Sequence, residues 1–176
     1  DASSFSATVY RNKVSNLINW VGSTGTCAGN SGPFPGCYDN VGKARYEGVT
    51  VAGVTRLAGV QLYASLDVQN PKNLDNGKLL ARRAKQLFKL NADTRVGDWT
   101  VGAEWQASGK RYDNAANTNR LAGYGVVNQY ASATLAREWT LLARVDNVGD
   151  RDHQLARGYA TPGRNFFVGL RWSPRL

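Results

Sequence analysis

The chain has 176 residues, 42% of them hydrophobic, with one His, two Cys and no Met, and its 22 Lys plus Arg against 13 Asp plus Glu give a formal charge of +9. That length and composition suit one folded domain with a sizeable core and exclude a disordered chain. The longest apolar runs are only a few residues, so a helical membrane protein, which needs roughly 18, is excluded; a barrel, which crosses with alternating strands of about ten residues, is not.

In chain order, alternation and turn chemistry predict about eight strands and no helix. The first covers "SSFSATVY" and runs toward Trp20, with Phe5, Ala7 and Val9 on one face. Cys27 and Cys37 then flank "AGNSGPFPG". Two unpaired core cysteines are the alternative, but a polar Gly- and Pro-rich loop is a poor place for buried thiols, so a disulfide is expected, closing a short loop and stabilising it by about 2 to 3 kcal/mol. The second strand spans "KARYEGVTVAGVT", with Gly48 read as a bulge. The third, "GVQLYASLDVQN", sets Val60, Leu62, Ala64, Leu66 and Val68 against Gln61, Tyr63, Ser65, Asp67 and Gln69. The fourth, "RAKQLFKLNADT", sets Arg83, Lys85, Lys89, Asn91 and Asp93 against Ala84, Phe88, Leu90 and Ala92. In the fifth, "DWTVGAEWQASGKRYD", Trp99, Val101, Ala103 and Trp105 oppose Thr100, Gly102, Glu104 and Gln106. The sixth is "YGVVNQYASATL", the seventh "WTLLARVDN", and the eighth "NFFVGLRW", where Phe166, Val168, Leu170 and Trp172 oppose Phe167, Gly169 and Arg171.

The connections alternate in length. Long ones, residues 21–42, 70–82, 109–122 and 147–162, are rich in Gly, Asn, Asp and Pro, and between them lie tight turns at "RLAG", "RVGD" and "AREW". In an up-and-down meander this places every short turn at one end and every long loop at the other, as in outer-membrane barrels. Trp99, Trp139 and Trp172 all fall at the short-turn end, and a ring of tryptophans at one level of an apolar face is what a lipid interface selects. The fold class is therefore all-β, an antiparallel up-and-down transmembrane barrel whose apolar face meets lipid and whose Glu104 and Gln106 face a lumen.

"NADTRVGDWTVGAEW", "GYGVVNQYASATLAREWTLLARVDNVGDRDH" and "YATPGRNFFVGLRW" resemble the last strands of a TonB-dependent outer-membrane receptor, and "LLARRAKQLFKL" with "GKRYDN" is most similar to the vitamin B12 (cobalamin) receptor branch. The resemblance runs over residues 5–172. It departs at Gly149 and His153, where the family usually carries Phe and Tyr, and in "SPRL" after Trp172, where the family normally ends on an aromatic residue. It implies that residues 1–176 are the C-terminal eight or so strands of a barrel of twenty-two, in the bacterial outer membrane. It also implies active import of a scarce nutrient, cobalamin or another metal chelate such as a siderophore, through an N-terminal plug displaced by the TonB protein. Such a plug would precede Asp1; a chain without Met is expected to be missing upstream sequence.

No enzyme chemistry emerges. One His and two Cys do not make an ordinary zinc site, His153 beside Asp150 and Asp152 reads as a solvated loop residue, and Asp146, Asp150 and Asp152 read as turn chemistry because the glycine and distal Glu of a calcium loop are missing. No cofactor is expected, since no Gly-bearing stretch precedes a helix that would hold a phosphate. The basic residues form no groove-reading pattern, so outer-membrane lipid and lipopolysaccharide, or an acidic partner, are expected rather than nucleic acid. Lumen-facing Arg83, Lys85, Lys89, Arg144 and Arg171 need lumen water or acidic residues of a plug. Tyr112, Arg120, Tyr124, Arg157 and Tyr159, in or beside the long loops, are the candidate contacts for a ligand or lipopolysaccharide.

Two other readings use the same strands. A self-contained eight-stranded barrel could carry a small ligand on an inward Val60, Leu62 and Leu66 face, or serve as a structural membrane anchor. For eight strands, closure of "FSATVY" on "NFFVGLRW" is expected, or failing that pairing with another chain, with Tyr63, Lys85, Lys89 and Glu104 filling the interior.

Overall fold

A computed structural model describes residues 3–21, 27, 29 and 36–174. Its named elements are all strands: β1 (Ser4–Val21), β2 (Cys37–Leu57), β3 (Val60–Asn73), β4 (Gln86–Val96), β5 (Trp99–Ser108), β6 (Arg111–Tyr112), β7 (Arg120–Leu121), β8 (Tyr124–Ala136), β9 (Trp139–Asp146) and β10 (Asn165–Trp172). Eight form one antiparallel sheet in the order β1-β2-β3-β4-β5-β8-β9-β10, while β6 and β7 pair as a ribbon inside the long connection from β5 to β8. Each of the eight predicted stretches supplies one strand of this sheet. The fourth begins later than expected, at Gln86, so Arg83 and Lys85 lie in the connection before it rather than on a strand face.

The register makes the two faces continuous. Directly opposed residues of an antiparallel pair share a face, and the row Val9–Val49–Val68 is followed toward the short turns by Ala7–Val51–Leu66–Phe88–Ala107. The same face carries Leu90–Trp105–Val127 and Ala131–Ala143–Val168. Among the described residues nothing covers it: Phe5 is 75% exposed and Phe166 73%. An uncovered apolar face across eight strands is far more than a soluble monomer exposes. At its short-turn end Trp139 is registered with Trp172, their ring centroids 6.1 Å apart, and Trp172 Nε1 donates to Glu138 at 3.0 Å. That is the half-apolar, half-wet placement an interface favours.

Two-residue turns fix this register. Ala58 and Gly59 both take positive φ (48° and 84°), a type I′ arrangement, and Gly97 takes φ 59° at the first turn position, as in type II′; both match the twist of the strands they join. Between β8 and β9 the register instead shifts between Thr134 and Ala136. The bulge expected at Gly48 is absent, for the β1–β2 register runs through the Tyr10–Gly48 pair unbroken. The glycine serves a close approach instead: a Cβ there would lie 2.4 Å from the Val68 carbonyl oxygen and 2.8 Å from Tyr10 Oη.

Among the described residues the sheet does not close on itself, contrary to the expectation for eight strands: there β1 pairs only with β2 and β10 only with β9. The edges do not match: β1 has 18 residues and β10 has 8, so a closed ladder would leave more than half of β1 unpaired. Tyr63, expected to help fill a narrow interior, is 42% exposed. An open sheet with its Leu66 face uncovered likewise offers no enclosed apolar interior for a self-contained ligand carrier.

Cys27 and Cys37 are disulfide-bonded, with Cα atoms 5.5 Å apart; the rest of the loop between them lies largely outside the described residues, as does Leu176. Among the described residues, most burial is at the long-loop end, where Cys27, Ala44, Pro71, Asn73, Leu80, Ala84, Arg111, Leu121 and Asn147 are buried. Ala44, Pro71 and Asn73 belong to the strands beneath, while Leu80, Ala84, Arg111 and Leu121 come from the connections.

Candidate functional site

The polar face is hydrogen-bonded to itself. Tyr10 Oη donates to Asp67 Oδ1 at 2.9 Å and Thr50 Oγ1 to the same atom at 3.3 Å. Tyr130 Oη donates to Asn91 Oδ1 at 3.4 Å, its ring lying over Gly102, where a Cβ would be 2.4 Å from the ring. Arg144 bridges two carboxylates, Glu104 at 2.7 Å and Asp146 at 2.5 Å, and Asn128 also donates to Glu104. Of the basic residues expected to face the lumen, Arg144 therefore finds its counter-charges on the same wall. Lys89 and Arg171 lie on that polar face through their pairing with Ser65 and Thr140.

At the long-loop end three connections are sewn into one layer. Asn117 exchanges hydrogen bonds with Leu79, its Oδ1 accepting from the Leu79 N–H at 2.8 Å and its Nδ2 donating to the Leu79 carbonyl at 2.9 Å. Arg82 Nε donates to Asp113 at 2.8 Å, and Asp113 also accepts from the Arg157 N–H at 3.2 Å. Burial works against the Asp113 charge, but these donors and the two guanidinium charges outweigh it and hold its carboxyl below the usual carboxylate range. The residue 147–164 connection is itself held by Asn147, whose N–H donates to Asn128 Oδ1 at 2.9 Å and whose Oδ1 accepts from the Arg151 N–H at 2.8 Å. Asp150 accepts from the Arg164 N–H at 2.8 Å. Asp146, Asp150 and Asp152 are thus spread among separate tasks and do not converge.

Within this layer lies a cavity of 450 Å³ lined by Arg120, Leu121, Ala122, Gly123, Arg151, Asp152, His153, Gln154, Ala160 and Thr161. Its wall is stiff. His153 rests on the Tyr124 ring with centroids 4.3 Å apart, and Thr161 Oγ1 donates to the His153 carbonyl at 2.8 Å. On the same Tyr124 ring sits the Arg111 guanidinium, 5.3 Å from the centroid and 4% exposed, donating through Nη2 to the Gln154 carbonyl. Arg111 Nη1 is buried with no hydrogen-bond partner.

The five loop candidates therefore separate. Arg120 lines the cavity, and Tyr124 supports it through His153. Tyr112 pairs with Arg120 across the β6–β7 ribbon, and its carbonyl accepts from the Arg82 N–H. Arg157 is occupied structurally, bonding to Asn119 as well as Asp113. Tyr159 stands apart, 72% exposed. His153 is half-buried against Tyr124 rather than simply solvated. Sequence reasoning missed Arg111, which is buried, and Asp113, which is part-buried, the two charges that hold the layer. They border Tyr112 in "GKRYDN", but no period in a two-residue strand distinguishes a buried Arg from an exposed one.

The family model for the TonB dependent receptor-like β-barrel matches residues 1–148. The vitamin B12 transporter BtuB of Vibrio cholerae serotype O1 (strain ATCC 39541 / Classical Ogawa 395 / O395) is 29% identical over 174 residues, which cover 94% of this chain and 26% of that protein. Among solved structures, the copper transporter OprC superposes with a TM-score of 0.75 at 21% identity, covering 98% of this chain and 28% of its own. The siderophore receptor PiuA from Acinetobacter baumannii superposes with a TM-score of 0.71 at 19% identity, covering 97% and 26%. The chain thus spans about a quarter of the length of the proteins it matches.

Proposed function

Because this chain belongs to the TonB-dependent receptor β-barrel family, a family of the bacterial outer membrane, we propose that it forms the C-terminal eight strands of the wall of an importer for a scarce nutrient, with cobalamin the first substrate to test. The observation that carries this reading is the pairing of an uncovered apolar face with a self-bonded polar face, all long loops gathered at one end and both sheet edges open. Open edges in lipid cost several kcal/mol for each unsatisfied backbone group, so β1 and β10 call for further strands of a larger barrel. Similarity over 94% of the chain to a protein named as a vitamin B12 transporter favours cobalamin; a ferric siderophore is the second ligand class, since PiuA is named as a siderophore receptor.

The loop layer is the part of this chain that meets the ligand. Arg120 contributes a cation at the cavity, Tyr124 supports its wall through His153, and Tyr112, Arg157 and Tyr159, outside the cavity lining, are further candidate contact positions. Movement of bound substrate inward rests on a plug elsewhere in the receptor and on the TonB protein. In cells whose only cobalamin receptor carries this chain, labelled cyanocobalamin is expected to accumulate when TonB is present and to stay surface-bound when TonB is deleted. Accumulation independent of TonB contradicts the importer reading. Binding of a ferric siderophore with none of cyanocobalamin contradicts the substrate while leaving the importer in place.

A further inference from the structure

The outward face changes character abruptly at its long-loop end. The last apolar row on the first three strands is Val9–Val49–Val68, the next is Arg11–Glu47–Asn70, and the one after is Lys13–Arg45–Lys72. Register puts all nine residues on the face that carries Phe5, Val51 and Leu66, and the side chains agree: Glu47 accepts from Arg11 Nε at 3.0 Å and forms an ion pair with Arg45 Nη2 at 3.0 Å. Each row lies two residues farther along the strand, roughly 6 to 7 Å. Both charged rows therefore sit immediately above the hydrocarbon belt, at headgroup level, where four cations share the single carboxylate of Glu47. Lys13 and Lys72 have no ion pair among the described residues, and Arg45 Nε and Asn70 Oδ1 are shielded without a hydrogen-bond partner.

We infer that Arg11, Lys13, Arg45 and Lys72 form a docking site for the phosphates of an outer-leaflet glycolipid, whose acyl chains lie along the Val9–Val49–Val68 row and the apolar face beneath it. The assignment rests on the proposed orientation, with long loops outside. Its chemistry is charge complementarity at a fixed depth: a phosphorylated headgroup needs cations one row above the hydrocarbon boundary, and an outward-facing cationic row needs anions because it faces neither loop nor lumen. Glu47 holds Arg11 and Arg45 in line and leaves the lysines free for the ligand.

The test uses the whole receptor, extracted in mild detergent and titrated with bisphosphoryl lipid A, bound lipid being counted by native mass spectrometry. Lys13→Gln with Lys72→Gln, which breaks no ion pair, is expected to weaken retention on the order of 30-fold, and Lys72→Gln alone roughly fivefold. Lys89→Gln with Arg171→Gln on the polar face is expected to leave retention unchanged, and dephosphorylated lipid A is expected to bind wild type and the double variant equally weakly. Equal retention by the outward double variant and wild type overturns the site. So does an equal loss from the polar-face pair, binding of dephosphorylated lipid A as tight as the bisphosphoryl form, or displacement of the lipid by an equal concentration of inorganic phosphate. Cyanocobalamin uptake is scored on the same variants. Lost uptake in wild type with lipid retention intact counts against the importer reading alone.

Discussion

Gly102→Ala tests whether the polar face is assembled as interlocking side chains. Tyr130 is registered directly opposite Gly102, and its hydroxyl reaches across to Asn91 on the next strand. An added Cβ would lie 2.4 Å from Tyr130 Cζ and 2.5 Å from its Oη, so the ring must leave. The variant then loses a hydrogen bond of about 0.5 to 1.5 kcal/mol and a cross-strand ring contact of about 0.2 to 1 kcal/mol. It regains about 0.5 to 1 kcal/mol from replacing a strand glycine. The net expectation is destabilisation of up to about 2 kcal/mol, measured by urea unfolding of the receptor in phospholipid vesicles. The sharper expectation is a change of sign: in a Tyr130→Ala background, Gly102→Ala becomes neutral or stabilising, because the three atoms nearest the added Cβ are on the tyrosine. Tyr10, Gly48 and Asp67 repeat the arrangement with one difference, since a Cβ at Gly48 also meets the Val68 backbone carbonyl at 2.4 Å. Gly48→Ala is therefore expected to remain destabilising when Tyr10 is Ala. The reasoning is refuted if Gly102→Ala costs the same in both backgrounds.

Leu66→Arg puts a cation on the lipid face roughly 5 Å from the belt's middle and is expected to cost about 1.5 to 3 kcal/mol, whereas Ser65→Arg on the polar face is expected to cost less than about 1 kcal/mol; refolding yields in vesicles compare the two. Because the Asp113 carboxyl is depressed in the folded layer, its stabilisation is fully present above the unfolded value near 3.9 and is lost as pH falls through its lower folded value. Protease nicking of residues 109–123 is thus expected to rise as pH drops below about 4 in wild type and to be already raised and nearly pH-independent in Asp113→Asn. Reduction of the Cys27–Cys37 bond, which closes a ten-residue separation, is expected to release about 2 to 3 kcal/mol of loop constraint, seen as faster proteolysis of that loop without loss of the sheet.

Strand positions and both faces were legible because a side-chain period of two is local: "VQLYASLDV" states its register in its own residues. Loop lengths and the three tryptophans then oriented the sheet. Closure was not legible, since alternation in each strand carries no count of strands; the mismatch between 18-residue β1 and 8-residue β10 emerges only from the pairing. Gly48 was ambiguous for the same reason, as a strand glycine serves either a bulge or a close approach and only the residue opposite, Tyr10, decides. The loop layer was the least legible part. Arg111 to Gln154 and Arg157 to Asp113 span more than 40 residues and obey no period.

The face assignment on which the account depends is read most directly by nitroxide scanning of β5 in the vesicle-reconstituted receptor, comparing collisions with oxygen, which concentrates in hydrocarbon, and with a nickel chelate, which stays in water. Labels at Val101 and Ala103 are predicted to favour oxygen and labels at Thr100 and Gln106 the nickel chelate, alternating with the register of Trp99–Ser108. Nickel access at Val101 and Ala103 equal to that at Thr100 and Gln106 would contradict a wall with one side in lipid and the other in a lumen.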